Sequence, residues 1–448
     1  MTHDASTAAP ASASAPSPAE RLPRLLHSLA VASQLEHGLC LQYLFTAFSL
    51  KQSLDEGGLN FEELIAVRRW RGNLLFIAAQ EMLHLAQAAN ISTAVGSGLA
   101  VERPNFPQRP DYYPTGLPWG LWPFSRATLV LYALYERPVQ SQAPLPGWLE
   151  NPGAVAANLA GLQSQSPPEK DPFNFLPRDF DRPHASGFAS VGELYRQIAE
   201  DLREGGDIFH GPAAAQVAPH TVDLPQLLQV FGLDQALHGV ELIAIQGEGS
   251  PSDRTDSHFG MFVAMVEEFD SLSRKRSGFE PVRDVQSNPL SRLHADNTCP
   301  GWRLIEDPFT RDVNDLCNQT YELMLQLLEQ VFWPDDATQA ERRIVAGLSL
   351  RLMTGVITAL GDLLTQLPMG DDKPTRAAFA GPSFEMADTW PVLRSRSAAG
   401  TCVSGALMRL ERQALALASK APSSMARDRL EDAAATYRDM AGRGPAAG

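Results

Sequence analysis

Cysteine is scarce in this chain: Cys40, Cys299, Cys317 and Cys402 stand far apart, and no C-x-x-C pair occurs. That spacing argues against a thiolate zinc site and a dense disulfide framework, and it fits a reducing cytoplasm. Basic charge is also short. A formal charge of −15 at pH 7 leaves no cationic footprint for nucleic acid or an anionic membrane surface. The opening stretch, MTHDASTAAPASASAPSPAE, lacks both a basic start and an apolar core. It reads as a disordered tail over residues 1–23, not a signal peptide. No uninterrupted apolar run approaches the roughly 20 residues of a membrane span, and strand-like alternation is almost absent. The expectation is a soluble, cytoplasmic, all-α protein.

What is present is helical periodicity, in a chain of 448 residues, longer than one hydrophobic core usually sustains. Apolar residues recur at three- and four-residue spacing from Leu25 to about Ser53, ending before Gly57 and Gly58, and again from Phe61 to Val95. The string VERPNFPQRPDYYPTGLPWGLWPF follows, too rich in proline and aromatics for regular structure. A loop this long in a compact domain is usually functional, so its Tyr112–Phe124 part is expected to cover a site. Further helices are predicted at Ser125–Glu136, Ser190–Arg203, Leu224–Gln246 and His258–Ser273, with Pro-rich connections between some of them. A second group, near Asp312–Phe332, Gln339–Gln366 and Ala398–Met440, begins after about residue 300.

The acidic residues carry the chemistry. Glu36 has Leu29 and Ala32 behind it and Cys40 and Tyr43 ahead, all at helical offsets, so it sits within an apolar stripe. Glu81 is flanked in the same way by Leu74, Ile77, Leu85 and Ala88, with His84 three residues later. An ionised carboxylate facing a core is costly unless it is paired or binds a cation. A Glu on one helix and Glu-x-x-His on the next is half of a di-metal bundle pattern. A lone E-x-x-H can also be a buried Glu paired with Arg; the matching core position of Glu36 favours metal.

The other half is less regular, because no second E-x-x-H follows where one is needed. Glu248 ends a helix in IQGEG, with Glu241 seven residues before it, and His258 opens the next helix on a face shared with Met261, Phe262 and Met265. QGEG also fits a simple helix C-cap. Glu193 and Glu136 compete for the remaining carboxylate position. Glu193 sits beside the stripe of Leu194, Ile198 and Leu202 and suits a first-turn dipole role. Glu136 shares a face with Leu129, Tyr132 and Ala133, but its helix is short and ends near Pro138. Spacing alone does not decide between them.

The strings QLEHGLCLQYL, QEMLHLAQAANI, YPTGLPWGLWPF, GELY, IQGEG, SHF and AGPSFE together resemble the ferritin-like family related to iminophenyl-pyruvate dimer synthases of bisindole pigment pathways such as violacein and rebeccamycin. The resemblance runs from about Arg24 to Trp390 and is nearest to the stand-alone members, since the synthases themselves are longer. It implies a ferritin-like four-helix bundle with long Pro-rich insertions over residues 24–300 and a second helical domain over 301–448. It also implies Glu36, Glu81, His84, Glu193, Glu248 and His258 as metal ligands. On this reading two irons, with manganese or zinc as variants, activate dioxygen or peroxide to oxidise a small, amino-acid-derived substrate. Tyr43 is expected to line the reaction cavity, and Arg351, within an apolar run, reads as a surface-snorkelling side chain, with neutralising a buried acid or meeting an anionic substrate as the alternative. The second helical group is expected to be structural and to form a wall of the site. A homodimer or a pathway enzyme is the expected protein partner. A metal-storage protein and a metal-free scaffold are the competing readings.

Overall fold

The computed structural model describes residues 18–108, 116–139, 144–166, 188, 190–249, 255–292, 302–333, 337–370, 378–386 and 396–443. The fold is all-α. Its helices are α1 (Pro18–Phe48), α2 (Phe61–Ala94), α3 (Arg126–Tyr135), α4 (Gly147–Glu150), α5 (Pro152–Gln163), α6 (Val191–Glu204) and α7 (Pro219–Val222). They continue with α8 (Leu233–Gly247), α9 (His258–Lys275), α10 (Pro308–Val331), α11 (Gln339–Arg351), α12 (Thr358–Leu364), α13 (Arg396–Ala418) and α14 (Ser424–Arg443). A π-helical stretch, Leu352–Ile357, joins α11 to α12 without a break. Among the described residues the strands are one short parallel pair, β1 (Pro289–Leu290) with β2 (Arg303–Leu304).

The long antiparallel pair α1 and α2 is the spine. At the start of α2, Asn60 accepts from the Glu63 amide while the Glu63 carboxylate accepts from the Asn60 amide, a reciprocal cap that satisfies two otherwise orphaned donors. Arg276, just past α9, donates to both Glu63 oxygens at 2.7 and 2.6 Å and ties the two helix ends together. Around the spine, α6 packs on α1 and α8, while α3 packs on α9. Trp70 of α2 stacks on Phe124 with ring centroids 5.1 Å apart. Burying side chains of this size contributes about 1.5–3 kcal/mol each relative to exposure.

The second group, α10 to α14, has its own core, and α1 serves both. Leu35, Leu39, Tyr43 and Ala47 face the first core, whereas Leu41, Phe45 and Phe48 face the second. A helix apolar on two faces has to be covered on both. Gly361 of α12 lets that helix approach, since a Cβ there would stand 2.5 Å from the Phe48 ring. Arg283 secures the same junction: it donates to Glu56 at 2.6 Å, to the Phe48 carbonyl at 2.8 Å and to Thr365 at 3.1 Å.

Several elements differ from expectation. Helix α1 starts at Pro18, inside the stretch expected to be a tail; residues 1–17 lie outside the described residues. Helices α4 and α5 occupy part of a connection read as irregular, because Asn151 caps Gly153 and Ala154 and Pro152 takes the first helical turn. The helix predicted from Leu224 starts only at Leu233. Residues 224–230 instead make a turn, closed by the Leu227 amide on the Leu224 carbonyl at 3.0 Å, and then an irregular stretch held by side-chain amides: Gln87 binds Leu228 through both backbone groups, and Asn90 donates to the Leu228 and Val217 carbonyls. The β1–β2 pair straddles the division expected at 300/301. Finally, Gln339–Leu364 is a continuous helix with mean hydropathy 1.7, long and apolar enough by those measures to cross a membrane. It matches the helix expected over Gln339–Gln366. Its buried residues Leu348, Leu352, Val356, Leu360 and Leu363 belong to the second core.

Candidate metal centre

Five buried side chains converge between α1, α2, α3 and α9: Glu36, Glu81, His84, Glu136 and His258, each no more than 5% exposed. They form two three-residue sets, Glu36–Glu81–His84 and Glu81–Glu136–His258, and in each set one ligand atom per residue lies within 4.8 Å of the others. Glu81 belongs to both and divides its oxygens between them. Its Oε2 is 2.8 Å from His84 Nδ1, and its Oε1 is 3.1 Å from His258 Nδ1. Glu36 Oε2 completes the first set at 3.5 Å from His84 Nδ1, and Glu136 Oε1 the second at 3.7 Å from His258 Nδ1.

The surrounding residues fix these ligands. Both imidazoles are oriented through their far nitrogens: His84 Nε2 donates to Gln246 Oε1 at 2.9 Å, and His258 Nε2 donates to Gln80 Oε1 at 3.1 Å. An amide oxygen only accepts, so each Nε2 carries a hydrogen and each Nδ1 is turned to the centre. Gln246 is held in turn by donating to Gln226 at 2.7 Å. Two tyrosines clamp the outer carboxylates: Tyr195 donates to Glu36 Oε1 at 2.6 Å and Tyr43 to Glu136 Oε1 at 2.8 Å. Gly247 gives α8 room beside Glu136, because a Cβ at Gly247 would sit 2.8 Å from Glu136 Oε2.

Electrostatically the cluster demands positive charge. Burial, reinforced by the neighbouring Glu81 carboxylate, raises the Glu36 carboxyl to about 8. Burial also disfavours ionised Glu81, yet His258 and His84 together overcome it and hold that carboxyl well below the usual range. Burial opposes charging the imidazoles, but Glu81 outweighs it, raising His258 to about 9 and His84 well above its ordinary value. Glu36 Oε2, Glu81 Oε1 and His258 Nδ1 are buried without a hydrogen-bond partner. Orphaned atoms in both ligand sets within a low-dielectric interior fit divalent cations, with oxygen-rich, imidazole-containing sets suited to iron, manganese or zinc. Burial and the Glu81 and Glu36 carboxylates push the adjacent Cys40 thiol up, so it stays protonated and is not a nucleophile.

Four expected ligands, Glu36, Glu81, His84 and His258, are brought together; Glu193 and Glu248 are not in either set, and Glu136 stands with the four. In α6 the inward positions are Leu194, Tyr195, Ile198 and Leu202, which turns Glu193 aside; its carboxylate lies 3.4 Å from Arg196. Glu248 is the C-cap of α8, packs against Gly192 and accepts from the Val139 amide at 2.9 Å. Tyr43 donates to Glu136 and is not among the residues that line the cavity beside Glu36 and Glu81. Of the loop expected to act as a cover, residues 109–115 lie outside the described residues, while Trp119, Leu121, Trp122 and Phe124 are buried in the cores. Arg351, read as snorkelling, pairs with Asp439 of α14. Tyr195, Gln80 and Gln246 were not anticipated. The signal for Gln246 was its place three residues after Ile243 on the buried face of α8.

Comparison with known proteins identifies the family of this chain. The chain is 25% identical over 395 residues to dichlorochromopyrrolate synthase of Lentzea aerocolonigenes, an alignment covering 81% of this chain and 36% of that protein. It is 25% identical over 380 residues to 2-imino-3-(indol-3-yl)propanoate dimerase of Chromobacterium violaceum, covering 79% and 33%. It thus spans about a third of the length of the curated relatives it matches. Among solved structures, a ferritin like protein from Caulobacter vibrioides matches with 18% identity and a TM-score of 0.41, covering 73% of this chain and 93% of that one. Residues 29–267, which run from within α1 to within α9 and include every member of the two ligand sets, match the family model described as Ferritin-like. This chain belongs to the ferritin-like family.

Proposed function

We propose that the protein is a metal-dependent oxidoreductase with a two-ion, preferentially iron, centre, acting on a small organic molecule with dioxygen or peroxide as the oxidant. The observation that carries this reading is the division of Glu81: one oxygen for each of two ligand sets, each completed by one further carboxylate and one imidazole Nδ1. When bound, such a metal pair supplies oxidant activation and redox equivalents. The chain's own residues do the rest. Gln246 and Gln80 keep the Nδ1 atoms turned inward, and Tyr195 and Tyr43 restrain the outer carboxylates. The near-complete burial of all five side chains excludes bulk water from them. Both named relatives, a synthase and a dimerase, support an enzymatic role. A cytoplasmic location remains part of the proposal.

Elemental analysis of protein from iron-supplemented cells tests it. Roughly two metal ions per chain are expected, as in di-metal carboxylate bundles. Glu81→Ala should lose both ions and Glu136→Ala at least one, while Glu193→Ala retains them. Wild-type protein without metal, or a Glu193→Ala variant depleted as deeply as Glu81→Ala, would sink the assignment and leave a helical scaffold.

A further inference from the structure

A cavity of about 100 Å³ opens against the outer side of the spine and reaches the centre from the second helical group. Glu36 and Glu81 lie at its inner end, and Leu85, Met324, Leu325, Leu328, Phe332 and Met353 supply much of its wall. Its volume is about two-thirds of an apolar cavity known to take a benzene ring, which is ~150 Å³. Among its lining residues there is no lysine or arginine. Apart from the two glutamates, the hydrogen-bonding side chains of the wall, His37, Tyr321 and Ser349, are already engaged. His37 donates through Nδ1 to the Val101 carbonyl at 2.9 Å, and Tyr321 donates to His37 Nε2. Arg103, which is not in the lining, donates to the Tyr321 oxygen at 3.1 Å and to the Phe384 carbonyl at 2.6 Å. Burial, with Arg103 nearby, lowers His37 to about 3, so this imidazole stays neutral. Ser349 donates to the Met324 carbonyl. Met353 and Ile357, also in the lining, come from the π-helical stretch, a local widening often found at functional sites.

We infer that this cavity is the substrate site of the proposed centre and that it takes an uncharged, apolar molecule, or the apolar end of one, about the width of a single ring. The inference rests on the metal-dependent reading for its chemistry but not for its binding preference. A carboxylate seated in the part of this cavity away from the metal positions would meet no protein cation in the wall, and would lose hydration there without a compensating partner. In this the chain departs from its curated relatives, which are named for carboxylate compounds, a pyrrolate and a propanoate.

The test compares 4-fluorotoluene with 4-fluorobenzoate by fluorine NMR titration of the full chain, as purified and after iron loading, with metal content measured on the same samples. The uncharged probe should bind at least about tenfold more tightly, in line with the cost of burying an unpaired charge. Ala346→Phe, which fills the cavity away from the ligands, should abolish binding at unchanged metal content. Met353→Lys, at a half-buried position, should narrow the preference by admitting benzoate, and it serves if Ala346→Phe does not fold. Equal or tighter binding of benzoate to the wild type, or toluene binding indifferent to both substitutions, would overturn the inference. Selective toluene binding by protein devoid of metal would uphold the cavity's preference while removing the metal-dependent function.

Discussion

Gln246 has no direct contact with a metal position, yet it decides which nitrogen of His84 faces the centre. Gln246→Leu should lower metal affinity about 10- to 100-fold, the usual effect of removing a ligand's outer partner. Chelator competition measures it, with Gln246→Glu expected to recover most of the loss; unchanged affinity in Gln246→Leu would mean that packing alone orients the ring. At this scale the sequence was legible wherever a polar residue interrupted an apolar stripe with helical neighbours on both sides. Glu36, Glu81 and His84 meet that condition. Glu136 meets it on one side only, since α3 ends at Tyr135 and Glu136 is its cap. Glu193 fits a first-turn residue and Glu248 a helix C-cap as well as they fit ligands, and their neighbours in space, Arg196 and the Val139 amide, are invisible to periodicity.

Among the elements, α2 carries the most consequence, because Glu81 and His84 ride on it. Its first turn is set by the Asn60–Glu63 cap, and Asn60→Ala should cost about 1 kcal/mol in a denaturant titration. The Glu63 carboxyl is held below its ordinary 4.5 chiefly by hydrogen bonds from Arg276. A depressed carboxyl contributes stability that is fully present above its ordinary value and is lost as pH falls through its lowered one. Thermal melts taken from neutral pH into the acid range should therefore show a smaller acid loss in Glu63→Gln than in the wild type; parallel curves would leave the pair without a role in acid sensitivity. The two spine helices were readable because long, strongly periodic runs leave few alternatives. The start of α8 was not, because Leu224, Leu227 and Leu228 fit the helical period while Gln87 and Asn90 capture the backbone needed to make a helix there. Nothing in the local sequence announces a capture arranged by residues so far upstream.

For the whole molecule, two helical groups were expected, and two cores exist, but the expected seam between them does not behave as a boundary. Leu41, Phe45 and Phe48 of α1 belong to the second core, and the cavity that reaches Glu36 and Glu81 is walled by α10 and α11. Calorimetry should accordingly give one unfolding transition, and a fragment of residues 24–300 should be insoluble or bind a dye for exposed apolar surface. Two well-separated transitions would show that the halves fold independently. The shared helix also bears on how such a chain can be recombined with its relatives. A crossover near residue 300 joins a foreign second half to an α1 whose outer face was shaped for another partner. The exchangeable module is therefore the set α1 plus α10–α14, scattered along the gene but continuous in space, and grafts that respect the linear division should fail where grafts that carry Leu41, Phe45 and Phe48 succeed.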